Sequence, residues 1–238
     1  MSPLLSNIYL TKFDRMLEER GHKFVRYADD CNIYVKTPRA AERVMESCVK
    51  YLEKKLKLKV NKKKSSVGKP TETRFLGFCL WQWNEKIGIR VHVKSLKRLK
   101  ERLKTMTNRK ESGSIKYLLG KITLLINGWL AYYRIADMKE YLRKLCYWLR
   151  HRIRQIFWKR WQLVKTRYEN LMRLGIPINM AWQWANTRKG CWCISGSIIM
   201  CAAMNNRYLD TLGFPNILKK YEELRERAKR LEILHGIC

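Results

Sequence analysis

The sequence predicts an α+β fold: antiparallel hairpin strands with covering helices, followed by a mostly helical region. Three observations carry this. Near the N-terminus, the runs Phe24-Val25-Arg26-Tyr27 and Cys31-Asn32-Ile33-Tyr34-Val35 are rich in β-branched and aromatic residues and flank the acid pair Asp29-Asp30. A second alternating pair spans 75–83 and 87–93, with Asn84 at its turn. Beyond Val93 these strand signals give way to long apolar stripes at helical spacing, rich in Lys and Arg.

In chain order, Pro3 to Glu19 reads as a helix. Leu5, Ile8, Tyr9, Phe13, Met16 and Leu17 form its apolar stripe, and Gly21 ends it. The acidic hairpin spans about 22–36. Pro38 suits the first turn of a second helix to Leu56, with Ala41, Val44, Met45, Cys48, Val49 and Leu52 inward. Asn61 to Lys64 is a basic loop expected between short strands. Leu96, Leu99 and Leu103 begin the first helix of the second half, and 108–113 breaks it. Ile115, Leu118, Leu119, Ile122, Leu125, Ile126, Trp129 and Leu130 mark the next helix. Tyr141, Leu142, Leu145, Trp148, Leu149 and Ile153 mark a third. Ile198 to Ala203 reads as a buried helix and Glu222 to Glu232 as a charged, solvated one.

Composition narrows the partners. The net charge of +31 over 238 residues implies a polyanion, with nucleic acid first among candidates. Residues 94–173 hold 22 Lys/Arg against 5 Asp/Glu, an excess of 17. At 46% hydrophobic, with 9 Trp and 12 Tyr, the chain has material for a core and is no disordered tail. It contains no apolar run of membrane-spanning length and no signal-peptide pattern at Met1. The 8 cysteines form no C-x-x-C pair, so reduced thiols in a cytoplasmic protein are expected; Cys191-Trp-Cys193 alone is a poor zinc fragment.

Two neighbouring carboxylates at a turn repel. Either the turn is solvated, or a divalent cation sits on it; hard oxygens of this kind suit Mg²⁺, which one or two carboxylates hold together with substrate phosphates. The surrounding motifs favour the second reading. Tyr27-Ala28-Asp29-Asp30 resembles the Y-x-D-D box of reverse transcriptases. Ser2 to Leu10 resembles the end of the preceding block in group II intron reverse transcriptases, without its opening Gln-Gly. Leu58 to Ser65 resembles the next block, and Arg74-Phe75-Leu76-Gly77-Phe78 the primer grip after it. Gly128-Trp129-Leu130-Ala131-Tyr132-Tyr133-Arg134 is similar to a G-W-x-x-Y-[FY]-R pattern in the maturase, or X, domain of the same family. Trp182 to Trp192 resembles a segment near the family's C-terminus, where Cys191 replaces a usual Tyr.

The resemblance implies three segments: 1–93 as the C-terminal part of a polymerase palm, 94–173 as the helical thumb or X domain, and 174–238 as a helical extension. It implies catalytic roles for Asp29, Asp30 and Lys64, with Mg²⁺ on Asp29 and Asp30 and with Tyr27 and Ala28 lining the cofactor site. Lys64 would face the leaving pyrophosphate, or else belong to a solvated charge run. Phe75, Leu76 and Gly77 would lie against the primer. Trp129 and Tyr133 read as core. Arg143, Lys144, Arg150, Arg152, Arg154, Lys159 and Arg160 are taken as outward cations contacting phosphates.

The family's third metal-binding aspartate and its fingers region stand upstream of the Ser2 block. The expectation is therefore an N-terminally truncated, polymerase-inactive chain that still binds group II intron RNA. Two alternatives stay open: a polymerase completed by a separate N-terminal half acting on an RNA/DNA primer-template, and a generic basic nucleic-acid binder with vestigial motifs. A cytoplasmic, nucleoid- or RNP-associated setting is expected, with no membrane partner.

Overall fold

The computed structural model describes residues 3–108 and 113–234. Ser2, the interior of the expected break at 108–113, and Cys238 lie outside the described residues. The chain divides into two compact units, Met1–His92 and Val93–Cys238. Both small sheets belong to the first and the second is helical, so the architecture is α+β.

The first unit runs α1 (Pro3–Glu19), β1 (Lys23–Tyr27), β2 (Asp30–Tyr34), α2 (Pro38–Lys54), β3 (Phe78–Trp83) and β4 (Lys86–Val91). Gly21 ends α1 with φ +69°, a conformation that costs glycine little, and its N–H donates to the Glu18 carbonyl at 2.8 Å. Thr37 caps α2 by accepting from the Ala40 N–H, with Pro38 in the first turn. β1 and β2 pair antiparallel, Tyr27 opposite Asp30; β3 and β4 form a separate antiparallel pair. The core gathers Phe13, Met16 and Leu17 of α1, Cys48 of α2, and Leu56, with Phe24, Cys31 and Ile33 of the hairpin packed against it.

Three expectations need correction here. Only the C-terminal half of the α1 stripe is buried; Leu5 and Ile8 are 59% and 62% exposed. No strands flank the Asn61–Lys64 loop among the described residues: Leu56, Leu58 and Val60 alternate with lysines as a strand would, but the Leu56 and Leu58 N–H groups donate to the Tyr51 and Leu52 carbonyls at 3.3 and 2.9 Å, which folds the segment back onto the end of α2. The third strand starts at Phe78 rather than Phe75, since residues 75–78 turn back on themselves.

The second unit is α3 (Val93–Met106), α4 (Ile115–Tyr133), α5 (Lys139–Arg160), α6 (Val164–Arg173), α7 (Ile178–Ala185), α8 (Cys191–Ser195), α9 (Ile198–Ala203), α10 (Asn206–Thr211) and α11 (Ile217–Leu234). α5 is its centre: Leu142, Leu145, Leu149, Ile153, Ile156 and Trp158 are all buried. α8 packs on α5, α6 on α7, and α11 against both α4 and α5. Buried Tyr221 of α11 donates to the Ala136 carbonyl at 2.8 Å, and Arg225 pairs with Asp137, tying α11 to the α4–α5 connection. Trp129 and Tyr133 are half-buried rather than core, their rings 4.6 Å apart on one side of α4. In α9, Ile199, Met200 and Ala203 are buried, whereas Ile198 is 86% exposed.

Among the described residues no helix is long and apolar enough to cross a membrane. The seven described cysteines are free thiols.

Candidate functional site

The acidic turn follows from strand pairing. With Tyr27 opposite Asp30, the hairpin closes through a two-residue loop, Ala28-Asp29. Such loops need positive φ at their first position, and glycine is the residue that adopts it freely. Ala28 takes it instead, at φ +53°. The strained position therefore sits inside the acidic box, directly before its first carboxylate. Asp29 and Asp30 are both exposed.

Arg26 holds this turn. It lies on the inward side of β1 with Phe24, while Val25 and Tyr27 point out, 50% and 64% exposed. Its guanidinium grips Asp14 of α1 at both ends, Nε to Oδ1 at 2.7 Å and Nη2 to Oδ2 at 2.5 Å. Nη1 also donates to the Asn7 side chain at 2.9 Å and to the Ala28 carbonyl at 2.8 Å. One side chain thus ties the strained loop residue to two points on a helix. The hydrogen bonds that Arg26 donates to Asp14 raise its pKa, so the clamp stays charged. Beside it, burial pushes the Cys31 thiol up to about 11. Asn7, Ile8, Thr11, Arg26, Tyr27 and Ala28 line an open groove under the turn. The sequence reading did not single out Asn7, Asp14 or Arg26. The available signal was a lone arginine on the inward face of a strand and a lone aspartate beside the buried Phe13.

Lys64 is exposed in the basic loop, its N–H bonded to the Asn61 carbonyl at 3.0 Å. No ion pair joins it to Asp29 or Asp30 among the described residues. Phe75 and Phe78 exchange hydrogen bonds of 3.0 and 2.8 Å around Leu76 and Gly77, both at positive φ (+51° and +85°). Gly77 is buried and its carbonyl accepts from His92 at 2.9 Å, so this segment presents a tight turn rather than a strand edge.

Among the described residues no group of three or more His, Cys, Asp or Glu side chains could hold a metal. The two acids of the turn are hard oxygen donors suited to Mg²⁺, yet they supply only part of a cage.

The basic helices sort less uniformly than their sequence implies. Arg143, Lys144 and Lys159 are exposed, Arg143 in a 3.2 Å pair with Glu140. Arg150, Arg152 and Arg160 are half-buried, and Arg154 is only 5% exposed. The expectation that all seven point outward is therefore corrected. Arg152 turns onto the end of α3, donating to the Thr107 hydroxyl at 2.6 Å and to the carbonyls of Lys104 and Thr107 at 3.1 and 2.5 Å. Arg160 donates to the Gly113 carbonyl at 2.5 Å. Arg154 donates from Nε to the Met204 carbonyl at 2.9 Å, and burial lowers its pKa. Arginine satisfies carbonyls at helix ends because its fork carries five donors on a long apolar stem.

Comparison with known families is consistent with this division. Residues 1–80 match the family model described as reverse transcriptase (RNA-dependent DNA polymerase). Residues 96–175 match the one described as group II intron, maturase-specific domain. No curated protein matches the chain.

Proposed function

Because this chain belongs to the group II intron reverse transcriptase and maturase family, we propose that its helical unit binds intron RNA and assists splicing, while its acidic turn supplies part of a magnesium site for copying RNA into DNA. The observation that carries the RNA reading is the maturase match over 96–175, a segment that includes the exposed cations Arg143, Lys144 and Lys159. Cations of this kind neutralise phosphates and release condensed counterions; the shape of folded RNA would then supply selectivity. In this reading the first unit is palm, with the 75–78 turn near a primer end, and the helices after Val93 are thumb.

Asp29 and Asp30 would hold Mg²⁺ together with nucleic-acid phosphates. When bound, the ion lowers the pKa of a primer 3′-hydroxyl and offsets phosphate charge. The chain's own contribution is positioning. Arg26 fixes the loop that carries the carboxylates, and the Lys64 ammonium would offset charge on the departing pyrophosphate. Two carboxylates from one turn do not complete a two-metal cage, so the purified 238-residue polypeptide is expected to show no Mg²⁺-dependent primer extension on an RNA template. Robust extension that Asp29→Ala abolishes would contradict this.

The RNA reading is tested by equilibrium binding to a group II intron RNA and to an unrelated structured RNA of equal length, across a salt series. The expected result is a steep salt slope for both and tighter binding to the intron RNA. Equal affinity at every salt would favour generic basic binding, which the net charge of +31 alone could produce.

A further inference from the structure

A concavity in the second unit is lined by three arginines from one side of α5. Arg143, Arg150 and Arg154 line it, together with Tyr147 of the same helix and Asn205 and Asn206 at the start of α10. The spacing explains the convergence: positions 143, 147, 150 and 154 follow one another at three and four residues, so they form a single ridge.

One of the three charges, that of Arg154, lacks a carboxylate partner among the described residues. Arg154, at 5% exposure, has the Met204 carbonyl as its hydrogen-bond acceptor and no carboxylate within ion-pair distance among the described residues. Arg150 reaches Asp210 at 3.6 Å and lies with its guanidinium carbon 4.9 Å from the centre of the Phe214 ring, but its Nε is buried without an acceptor among the described residues. Arg143 has Glu140, itself exposed. A buried guanidinium opposed only by a carbonyl dipole is costly, and an anion entering the concavity would offset that cost. Two side-chain amides at the rim add neutral donors that can bond phosphate oxygens without excluding it.

We propose that this concavity is a phosphate-binding subsite that seats one backbone phosphodiester of a structured RNA. The proposal rests on the RNA-binding reading above and narrows it to one place. It predicts that residues 143–154 and 205–206 act together, although they lie about 50 positions apart in the sequence.

The test uses the full 238-residue chain and three variants that change net charge equally. Asn206→Asp puts a carboxylate at the exposed rim, where it would pair with the arginines and repel a phosphate. Lys229→Gln removes one exposed cation on α11, outside the subsite. Relative to Lys229→Gln, Asn206→Asp is expected to weaken binding to structured RNA about tenfold and to flatten the salt slope by about one phosphate contact. Arg150→Gln should show the same direction, with circular dichroism confirming that each variant is folded. Equal affinity and slope for Asn206→Asp and Lys229→Gln would overturn the subsite while leaving RNA binding by the chain intact. If intron RNA is not preferred over unrelated RNA but Asn206→Asp still weakens both, the splicing reading fails and the subsite stands. Inorganic phosphate is the second probe. Thermal stabilisation by phosphate in the parent that Asn206→Asp abolishes, without any effect on RNA affinity, would reduce the site to a free-anion site and overturn the RNA assignment.

Discussion

At the scale of single residues, the acidic turn rests on Arg26 and Ala28. The Arg26 side chain is 12% exposed and its partner Asp14 21%, so their pair is shielded from much of the solvent. Arg26→Met would strand Asp14 and release the Ala28 carbonyl; unfolding of the first unit in urea should show a loss of about 3 kcal/mol. No loss would mean the clamp is decorative. Ala28 offers the opposite sign. At φ +53°, Ala28→Gly should relieve backbone strain and change stability by no more than about 1 kcal/mol, because the gain is partly offset by the freer unfolded chain. Cys31 gives a chemical check. With its thiol pushed up to about 11 by burial, it is protonated at neutral pH and should resist iodoacetamide, whereas exposed Cys193 should react first. Mass spectrometry of the alkylated chain would show the order. These residue contacts were only half legible in sequence. The Asp29-Asp30 pair announced itself through its flanking alternation. The Arg26–Asp14 pair did not, because it joins a helix to a strand across 12 positions and no local pattern reports such a pairing.

At the scale of elements, apolar periodicity was the dependable signal. α4 buries Leu118, Leu119, Ile122, Ile126 and Leu130, the face its sequence predicts, and α5 does likewise. Elements with a mixed pattern fold differently from what their sequence implies. The lysine-rich stretch after α2 lacks strands, and the 75–78 turn begins where alternation had implied β-structure. Arg154 looks like surface charge in sequence; α9 and the Met204 carbonyl beyond it, about 50 positions later, make it interior. The β3–β4 hairpin carries its own test. Gly88 stands opposite Trp81, and a Cβ there would meet the indole at 2.5 Å. Gly88→Ala should displace Trp81, shift its fluorescence, and destabilise the hairpin by about 1–3 kcal/mol. An unchanged emission spectrum would show that the ring is not packed on that glycine.

At the scale of the whole molecule, the two units differ in how much they bury. The first buries seven hydrophobic residues among those described, five in one cluster drawn from two helices and the segment after them, with Cys79 and Val91 on the second hairpin, and leaves Leu4, Leu5 and Ile8 largely exposed. The second buries the length of α5 under several helices. Amide exchange in the free chain should therefore be faster across residues 3–92 than in α4 and α5; equal protection would contradict the difference in burial. The same exchange measurement, repeated with group II intron RNA, tests the central claim that the helical unit is the RNA-binding surface. The account predicts slowed exchange in 139–160 and around 201–210, with residues 23–34 unchanged. Slowing confined to the acidic hairpin, or none anywhere at saturating RNA, would contradict it.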